Sequence, residues 1–165
     1  KDKFVLYINI KYLCCVKKEY MFSKSCEYGL RAVLFIAQSS LSNTKVSLVE
    51  IAQEIDSPSA FTAKILQQLS KANIIASTKG PTGGFLIAKE NLKIQTLADV
   101  VTVLDGDKIY NGCGLGLKQC DDQFPCPVHD QFVKVRTELK SMLKNTNLYD
   151  LAIGIDNGIT WLKRA

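Results

Sequence analysis

Three of the chain's six cysteines and its only histidine fall within one short stretch of sequence. Cys113, Cys120, Cys126 and His129 follow the pattern C-x6-C-x5-C-x2-H, with glycine, proline and aspartate between them. Because no periodic apolar face runs through this stretch, packing in a helix or a strand does not account for its cysteines. Thiolates are soft ligands that select iron–sulfur clusters, zinc or copper(I). The pattern therefore predicts a metal centre in a loop, with His129 as a candidate fourth ligand.

Two alternatives to an iron–sulfur cluster stay open on these residues alone. A set of three cysteines and one histidine is common in structural zinc sites, but zinc-binding cysteines usually come in close pairs. The gaps of six and five residues are wide for such a pair and suit a bulkier cluster. A metal-free protein would use the same thiols to form a disulfide on oxidation.

The composition is that of a soluble globular protein, with 47% hydrophobic and 22% charged residues in a chain of 165. This length suits one ordinary domain, or a small domain with an oligomerisation element. The cysteines gather near the start and in the loop, whereas a disulfide framework is usually spread over the chain, so we expect a reducing, cytoplasmic compartment. The net charge of +5 is weak evidence for a nucleic-acid partner, because residues 1–20 alone carry a net +3.

We expect residues 1–20 to be an N-terminal extension outside the main domain. Their apolar run is interrupted by Asn9 and Lys11, so it is too short and too polar to span a membrane. No small-residue cleavage site follows it, as one would in a signal peptide. A clean amphipathic pattern begins only at Met21.

Three amphipathic helices are predicted next, over residues 23–40, 47–55 and about 58–72. Ser47 and Glu50 form a capping box for the second helix, and Ser57 is a good N-cap for the third. The outward face of the third helix is small and polar and has no carboxylate, which is typical of a helix-turn-helix that enters the major groove. The candidate DNA-binding residues on this face are Ser59, Thr62, Ala63, Lys64 and Gln67.

Residues 74–88 predict a β-hairpin with a basic, glycine-rich tip. The tip comprises Thr78, Lys79, Gly80 and Pro81. Glycine lets the backbone approach a phosphate, and a long cation gains from the negative potential of a narrow minor groove. A helix-turn-helix followed by such a hairpin is a winged helix. The fold class we expect is therefore mainly α with a small β-hairpin.

The last clear element, about residues 128–147, is predicted to be a long dimerisation helix. Its apolar residues are spaced 4, 3, 4 and 3, which is a heptad seam over two repeats. The alternative is a helix that packs on its own domain. The seam consists of Val128, Phe132, Val135, Leu139 and Met142.

A further helix that begins at the capping pair Thr96 and Asp99 leads into the cysteine loop. The expected organisation is a winged helix-turn-helix DNA-binding domain over 21–105, a cluster-binding loop over 106–127, and a dimerisation helix with a tail over 128–165.

Together these features resemble the Rrf-two (Rrf2) family of bacterial winged-helix regulators, of the IscR/NsrR type. The resemblance covers Met21 to about Leu151. The residues that carry it are Glu27-Tyr28-Gly29-Leu30-Arg31-Ala32, Phe61-x-x-Lys64-Ile65-Leu66-x-x-Leu69, Ser77-x-Lys79-Gly80-Pro81-x-Gly83-Gly84-Phe85 and the three-cysteine loop.

The resemblance implies a homodimer on a palindromic double-stranded DNA operator, with the third helix in the major groove and the wing in the minor groove. For members with the cysteine loop, it implies a 2Fe–2S or 4Fe–4S cluster between that loop and the partner's N-terminal helix. Relatives also suggest Glu27 of the other subunit as an alternative fourth ligand, and Cys26 is a further candidate. This wing has Lys79 where the family usually has arginine, and the first cysteine gap is one residue longer than in the best-known members.

The function that the resemblance implies is that of a transcriptional regulator of the repressor type, whose DNA affinity responds to redox state, nitric oxide or iron–sulfur supply. An enzyme is not expected, because no glycine fingerprint for a cofactor and no nucleophile–base pair is present. The alternative is a winged-helix regulator that is stabilised by zinc or that senses redox state through a disulfide.

Overall fold

The computed structural model describes residues 21–80, 82–118 and 120–163. The predicted extension over residues 1–20 therefore lies outside the described residues, as does Pro81. The described chain is mainly helical with one two-stranded antiparallel hairpin, as the sequence predicts. None of the described helices is both long and apolar enough to cross a membrane.

Helix α1 (Lys24–Leu41) forms the centre of the main core. It begins at Ser23, whose hydroxyl accepts a hydrogen bond from the amide of Cys26 at 3.1 Å. Its apolar stripe is fully buried, as expected for a helix that is covered on more than one side. The buried stripe consists of Ala32, Val33, Ile36 and Ala37.

Gly29 lets three helices meet. A Cβ atom at this position would collide with the side chain of Leu104 in α5 (Leu97–Asp105) and would lie 3.3 Å from Ile65 in α3 (Ser59–Lys71). A larger residue at position 29 would force the Leu104 side chain to shift. The glycine of the first helix is therefore a packing residue, and it fixes how closely α3 and α5 approach α1.

The helix-turn-helix consists of α2 (Leu48–Glu54) and α3, as predicted. Both hydrogen bonds of the capping box between Ser47 and Glu50 are formed. The predicted N-cap of α3 is wrong by one residue, because Pro58 occupies that position without a side-chain cap. The carbonyl of Pro58 accepts from the amides of Phe61 and Thr62, whereas the Ser57 hydroxyl is buried with no hydrogen-bond partner among the described residues.

The wing is formed by β1 (Ala76–Thr78) and β2 (Gly84–Leu86), which pair antiparallel with Ser77 opposite Phe85. Val46 extends this hairpin through an isolated bridge, in which its amide and carbonyl bond to Phe85 at 3.1 and 2.8 Å. At the tip, the amide of Gly83 donates to the carbonyl of Gly80 at 2.9 Å. The tip is thus held as a turn on a rigid base.

Five further helices follow the wing in the described fold. The sequence predicts α5, with its capping box at Thr96 and Asp99, and the long α7 (His129–Asn145). It does not anticipate α4 (Lys89–Ile94), α6 (Lys108–Asn111) or α8 (Leu148–Asp156).

Helix α8 changes the expected domain boundary. Leu148 and Ala152 are fully buried in the main core, where α8 packs against α1. The C-terminal part of the chain is therefore not simply a dimerisation helix with a tail, because its last helix shares the core of the DNA-binding domain. A second, smaller core joins the start of α1 to α5, α6 and α7 around Cys26, Val101 and Leu143.

Replacing Leu148 with alanine tests the contribution of α8 to stability. We expect Leu148→Ala to lower the free energy of unfolding by about 2–5 kcal/mol, because it removes a fully buried side chain and leaves a cavity. The matched control is Ile159→Ala, at a side chain that is 68% exposed, which should change stability by less than about 0.5 kcal/mol. Chemical denaturation of both variants provides the measurement, and equal small effects would contradict the role of α8.

Candidate functional site

The outer face of α3 is exposed and has no negative charge. Ser59, Lys64 and Gln67 are exposed and Ala63 is half-buried, as expected of residues available to DNA. No residue of α3 is acidic. This face combines hydroxyl, amide and ammonium donors, which are the groups that contact base edges and phosphates.

Thr62 does not belong to this face, which corrects its sequence-based placement. Its side chain is fully buried, and its hydroxyl donates to the carbonyl of Pro58 at 3.2 Å. Threonine often bonds back to the preceding turn in this way. A small polar residue one turn into a helix therefore cannot be assigned to the outer face from its chemistry alone.

The wing lies beside the outer face of α3. Thr78, Lys79 and Gly80 are all exposed at the tip. The hydroxyl of Ser70 in α3 bonds that of Ser77 in β1 at 3.2 Å, which ties the helix to the wing. From the sequence, Ser77 is named only as part of the wing motif, and Ser70 is not singled out. Lys79 in the wing and Lys71 in α3 line the same groove, so positive charge lies on both of its sides.

In the cysteine loop, His129 connects a thiol to a carboxylate. Its Nδ1 lies 3.4 Å from the sulfur of Cys120, and its Nε2 lies 3.0 Å from an oxygen of Asp122. His129 is the first residue of α7, and it is only 8% exposed. In the neutral tautomer whose Nε2–H donates to this carboxylate, the lone pair of the imidazole is on Nδ1 and faces the sulfur.

The other two loop cysteines form a second pair. The pKa of the Cys113 thiol lies below its usual range, chiefly because the amides of Leu115 and Leu117 donate hydrogen bonds to its sulfur. A hydrogen bond with the side chain of Cys126 and the positive charge of Arg136 act in the same direction. Cys113 and Cys126 are thus neighbours, and the thiolate form of Cys113 is favoured.

The predicted ligands therefore lie as two pairs and not as one assembled cage. Within the part of the chain that the structure describes, no three histidine, cysteine, aspartate or glutamate side chains form a group ready to hold a metal ion. The donor chemistry nevertheless suits a thiolate-ligated metal centre: all three thiols are partly accessible, and one imidazole nitrogen faces the sulfur of Cys120.

Two side chains to which the sequence assigns no role at the loop hold it on α7: Arg136 is new, and Phe132 is predicted only as a residue of the dimer seam. Arg136 donates to the carbonyl of Gly112 and to the sulfur of Cys120. The ring of Phe132 covers Gly114 so closely that a Cβ atom there would lie 2.5 Å from it. Phe132 and Arg136 come three and seven residues after His129, a spacing that places all three side chains along one side of a helix. This spacing is the signal that could have found them.

The remaining candidate ligands belong to α1. Glu27 forms an ion pair with Lys24 at 2.6 Å. Cys26 is fully buried, and burial, together with the negative charge of Asp105, raises the pKa of its thiol to about 12. A buried, protonated thiol is a poor metal ligand, so the structure disfavours Cys26.

The predicted dimer seam is largely exposed in the single chain. Phe132, Val135 and Met142 are 37%, 59% and 49% exposed. Val128 and Leu139 are half-buried, and Leu139 packs against the smaller core. The seam is therefore mixed: Leu139 packs against the smaller core, whereas Phe132, Val135 and Met142 present apolar surface.

Alkylation near neutral pH tests the contrast between the two kinds of thiol. We expect iodoacetamide to modify Cys113 much faster than Cys26 in the metal-free protein, because thiolates react and thiols do not. Peptide mass spectrometry provides the rates, and the same reaction in denaturant serves as the control that removes the difference. Equal rates in the native protein would contradict the opposite pKa shifts.

The sequence of this chain is similar to those of known transcriptional regulators. The Rrf2 family model, described as an iron-dependent transcriptional regulator, matches residues 22–153. A predicted HTH-type transcriptional regulator of Aquifex aeolicus (strain VF5) is 33% identical over 133 residues, which cover 79% of this chain and 90% of that protein. The HTH-type transcriptional regulator IscR of Yersinia enterocolitica is 27% identical over 124 residues, which cover 75% of this chain and 74% of that protein.

Solved structures share the fold. CymR (YrzC), described as the global cysteine regulator of B. subtilis, matches with a TM-score of 0.66 at 22% identity, over 82% of this chain and 98% of its own. IscR of T. potens matches with a TM-score of 0.64 at 24% identity, over 84% of this chain and 90% of its own. The matched relatives are transcriptional regulators and not enzymes, as the sequence predicts. With a family model that spans most of its length, this chain belongs to the Rrf2 family of DNA-binding transcriptional regulators.

Proposed function

We propose that this protein is a repressor whose affinity for its operator is switched by an iron–sulfur cluster in the cysteine loop. The observation that carries the proposal is the placement of three thiols and one oriented imidazole directly before the helix with the exposed apolar seam. The description of the family as iron-dependent agrees with it.

Cys113, Cys120, Cys126 and His129 would hold the cluster. His129 is preferred over Glu27 as the fourth ligand because its Nδ1 already faces Cys120 while Asp122 accepts at Nε2. A carboxylate on the second nitrogen is the usual support for a metal-binding histidine. Such a cluster would supply a redox-sensitive centre whose loss or change alters the local charge.

On DNA, each subunit would place α3 in the major groove and the wing tip in the minor groove. The exposed Ser59, Lys64 and Gln67, with the half-buried Ala63, would contact the major groove. Thr78, Lys79 and Gly80 would contact the minor groove, and Pro81 belongs to the same predicted set. A pair of such heads fits a palindromic operator, because a twofold protein reads two half-sites.

Pairing of two subunits would use the apolar side chains of α7 that the single chain leaves exposed. Phe132, Val135 and Met142 stand out along a helix whose other exposed residues are mostly polar. A homodimer through α7 would join the cysteine loop, which α7 directly follows, to the spacing of the two DNA-binding heads. We place the regulator in the cytoplasm, where the thiols stay reduced and the operator is accessible.

A second candidate is a metal-free redox switch, favoured by the contact between Cys113 and Cys126. A peroxide would oxidise the two thiols to one disulfide, and the peroxide would be reduced to water or alcohol. A structural zinc ion on the same four side chains is the remaining alternative.

Anaerobic purification separates these candidates. We expect a brown protein with visible absorbance and bound iron and sulfide, and Cys126→Ala should lose the chromophore yet remain a folded dimer, because Cys126 lies outside the cores. Gln123→Ala, at an exposed residue of the same loop, is the matched control and should keep the chromophore. A colourless protein with stoichiometric zinc would end the cluster proposal.

The same spectra decide between the two proposed fourth ligands. We expect His129→Ala to weaken or shift the visible absorbance, whereas Glu27→Gln should leave it unchanged. The reverse pattern would assign the fourth ligand to Glu27.

Replacing Lys79 with alanine tests the wing. We expect Lys79→Ala to weaken binding to a short duplex and to lower the slope of log K against log salt by about one, because one phosphate contact is lost. Lys144→Ala, at an exposed lysine of α7, is the matched control and should bind as the wild type does. Unchanged affinity and slope for Lys79→Ala would remove this residue from the DNA interface.

A further inference from the structure

Arg136 contacts both ends of the first half of the cysteine loop. Its Nη1 donates to the carbonyl of Gly112, which directly precedes Cys113. Its Nη2 donates to the sulfur of Cys120 at 3.3 Å. A single guanidinium therefore bridges the segment that carries two of the three loop cysteines.

The chemistry of arginine suits this position. The guanidinium is always charged and planar, and its rigid fork can serve two acceptors at once. It projects from α7, seven residues after His129, which also contacts Cys120. Phe132 lies between these two on the helix and covers Gly114. Three side chains of one rigid helix thus hold a loop that has little regular structure of its own.

We propose that Arg136 is the positioning residue of the cysteine loop: it clamps Gly112 and Cys120 onto α7 and places a fixed positive charge beside the Cys120 sulfur. The contacts that form the clamp are made by protein atoms alone. The second role of Arg136, towards the bound cluster, rests on the proposed function above. Hydrogen bonds to ligand sulfurs and nearby charge tune the potential of a cluster, so the guanidinium favours the reduced, more negative state.

Limited proteolysis of the metal-free protein tests the clamp. Lys118 is an exposed trypsin site between the two bridged positions. We expect Arg136→Gln to be cleaved after Lys118 about tenfold faster than the wild type, because loss of a charge-assisted hydrogen bond shifts local opening by that order. Arg136→Lys keeps the charge without the fork and should be intermediate. Lys134→Gln removes an exposed charge from the same helix and should be cleaved at the wild-type rate.

The midpoint potential of the reconstituted protein tests the second role. We expect Arg136→Gln to shift the ratio of oxidised to reduced cluster about tenfold towards the oxidised form at a given potential, which is a fall of about 59 mV for a one-electron couple. Arg136→Lys and Lys134→Gln should stay near the wild type. A purely structural role would not make lysine restore the potential fully while restoring resistance to cleavage only in part.

The outcomes are distinguishable. Cleavage of Arg136→Gln at the wild-type rate overturns the clamp, and an unchanged potential in that variant overturns its role towards the cluster. If the wild-type protein binds no cluster, the proposed function and the second role fail together, while the proteolysis still decides the clamp.

Discussion

The close approach of three helices at Gly29 is the constraint on which the described architecture depends. Because a side chain at this position would collide with Leu104, glycine sets the distance between α1 and α5, and Ile65 of α3 packs at the same point. Helix α3 carries the candidate DNA-binding face, and α5 leads through α6 to the cysteine loop. The two candidate regions therefore share one packing contact, and a displacement of α5 would change the packing of α3.

Local signals allowed much of this fold to be predicted. Capping boxes and glycine-rich turns act within a few residues of the chain. The boxes at Ser47 and Thr96 and the hairpin of the wing are all formed as expected. Two features were not predicted. The polarity of Thr62 suggests the outer face, but its hydroxyl bonds the carbonyl of Pro58 one turn earlier. Helix α8 has helical spacing at Leu148, Leu151, Ala152 and Ile155, but its place in the main core follows from burial of Leu148 against α1.

The cysteine loop illustrates the same limit at the candidate site. The spacing of the thiols could be read from the sequence, which predicts His129 as a ligand of the same site, and the structure places its Nδ1 3.4 Å from the sulfur of Cys120. Asp122 could not be read in this way, because its contact with His129 depends on how the loop folds onto α7. For Arg136 the sequence offers only its helical spacing from His129, which does not reveal the contact with Cys120. The loop is thus partly organised: one pair of donors is fixed against a helix, and the other is held by turns of its own backbone.

Because α8 packs on α1, the main core is completed only by the last helix of the described chain. Residues 42–147 separate these two helices in the chain, and such distant contacts form late and slowly. On the ribosome, the main core cannot close until α8 has emerged, so the cysteine loop is synthesised before this core is complete. The three thiols of the loop are therefore exposed to the cell earlier than the packed core that α8 closes.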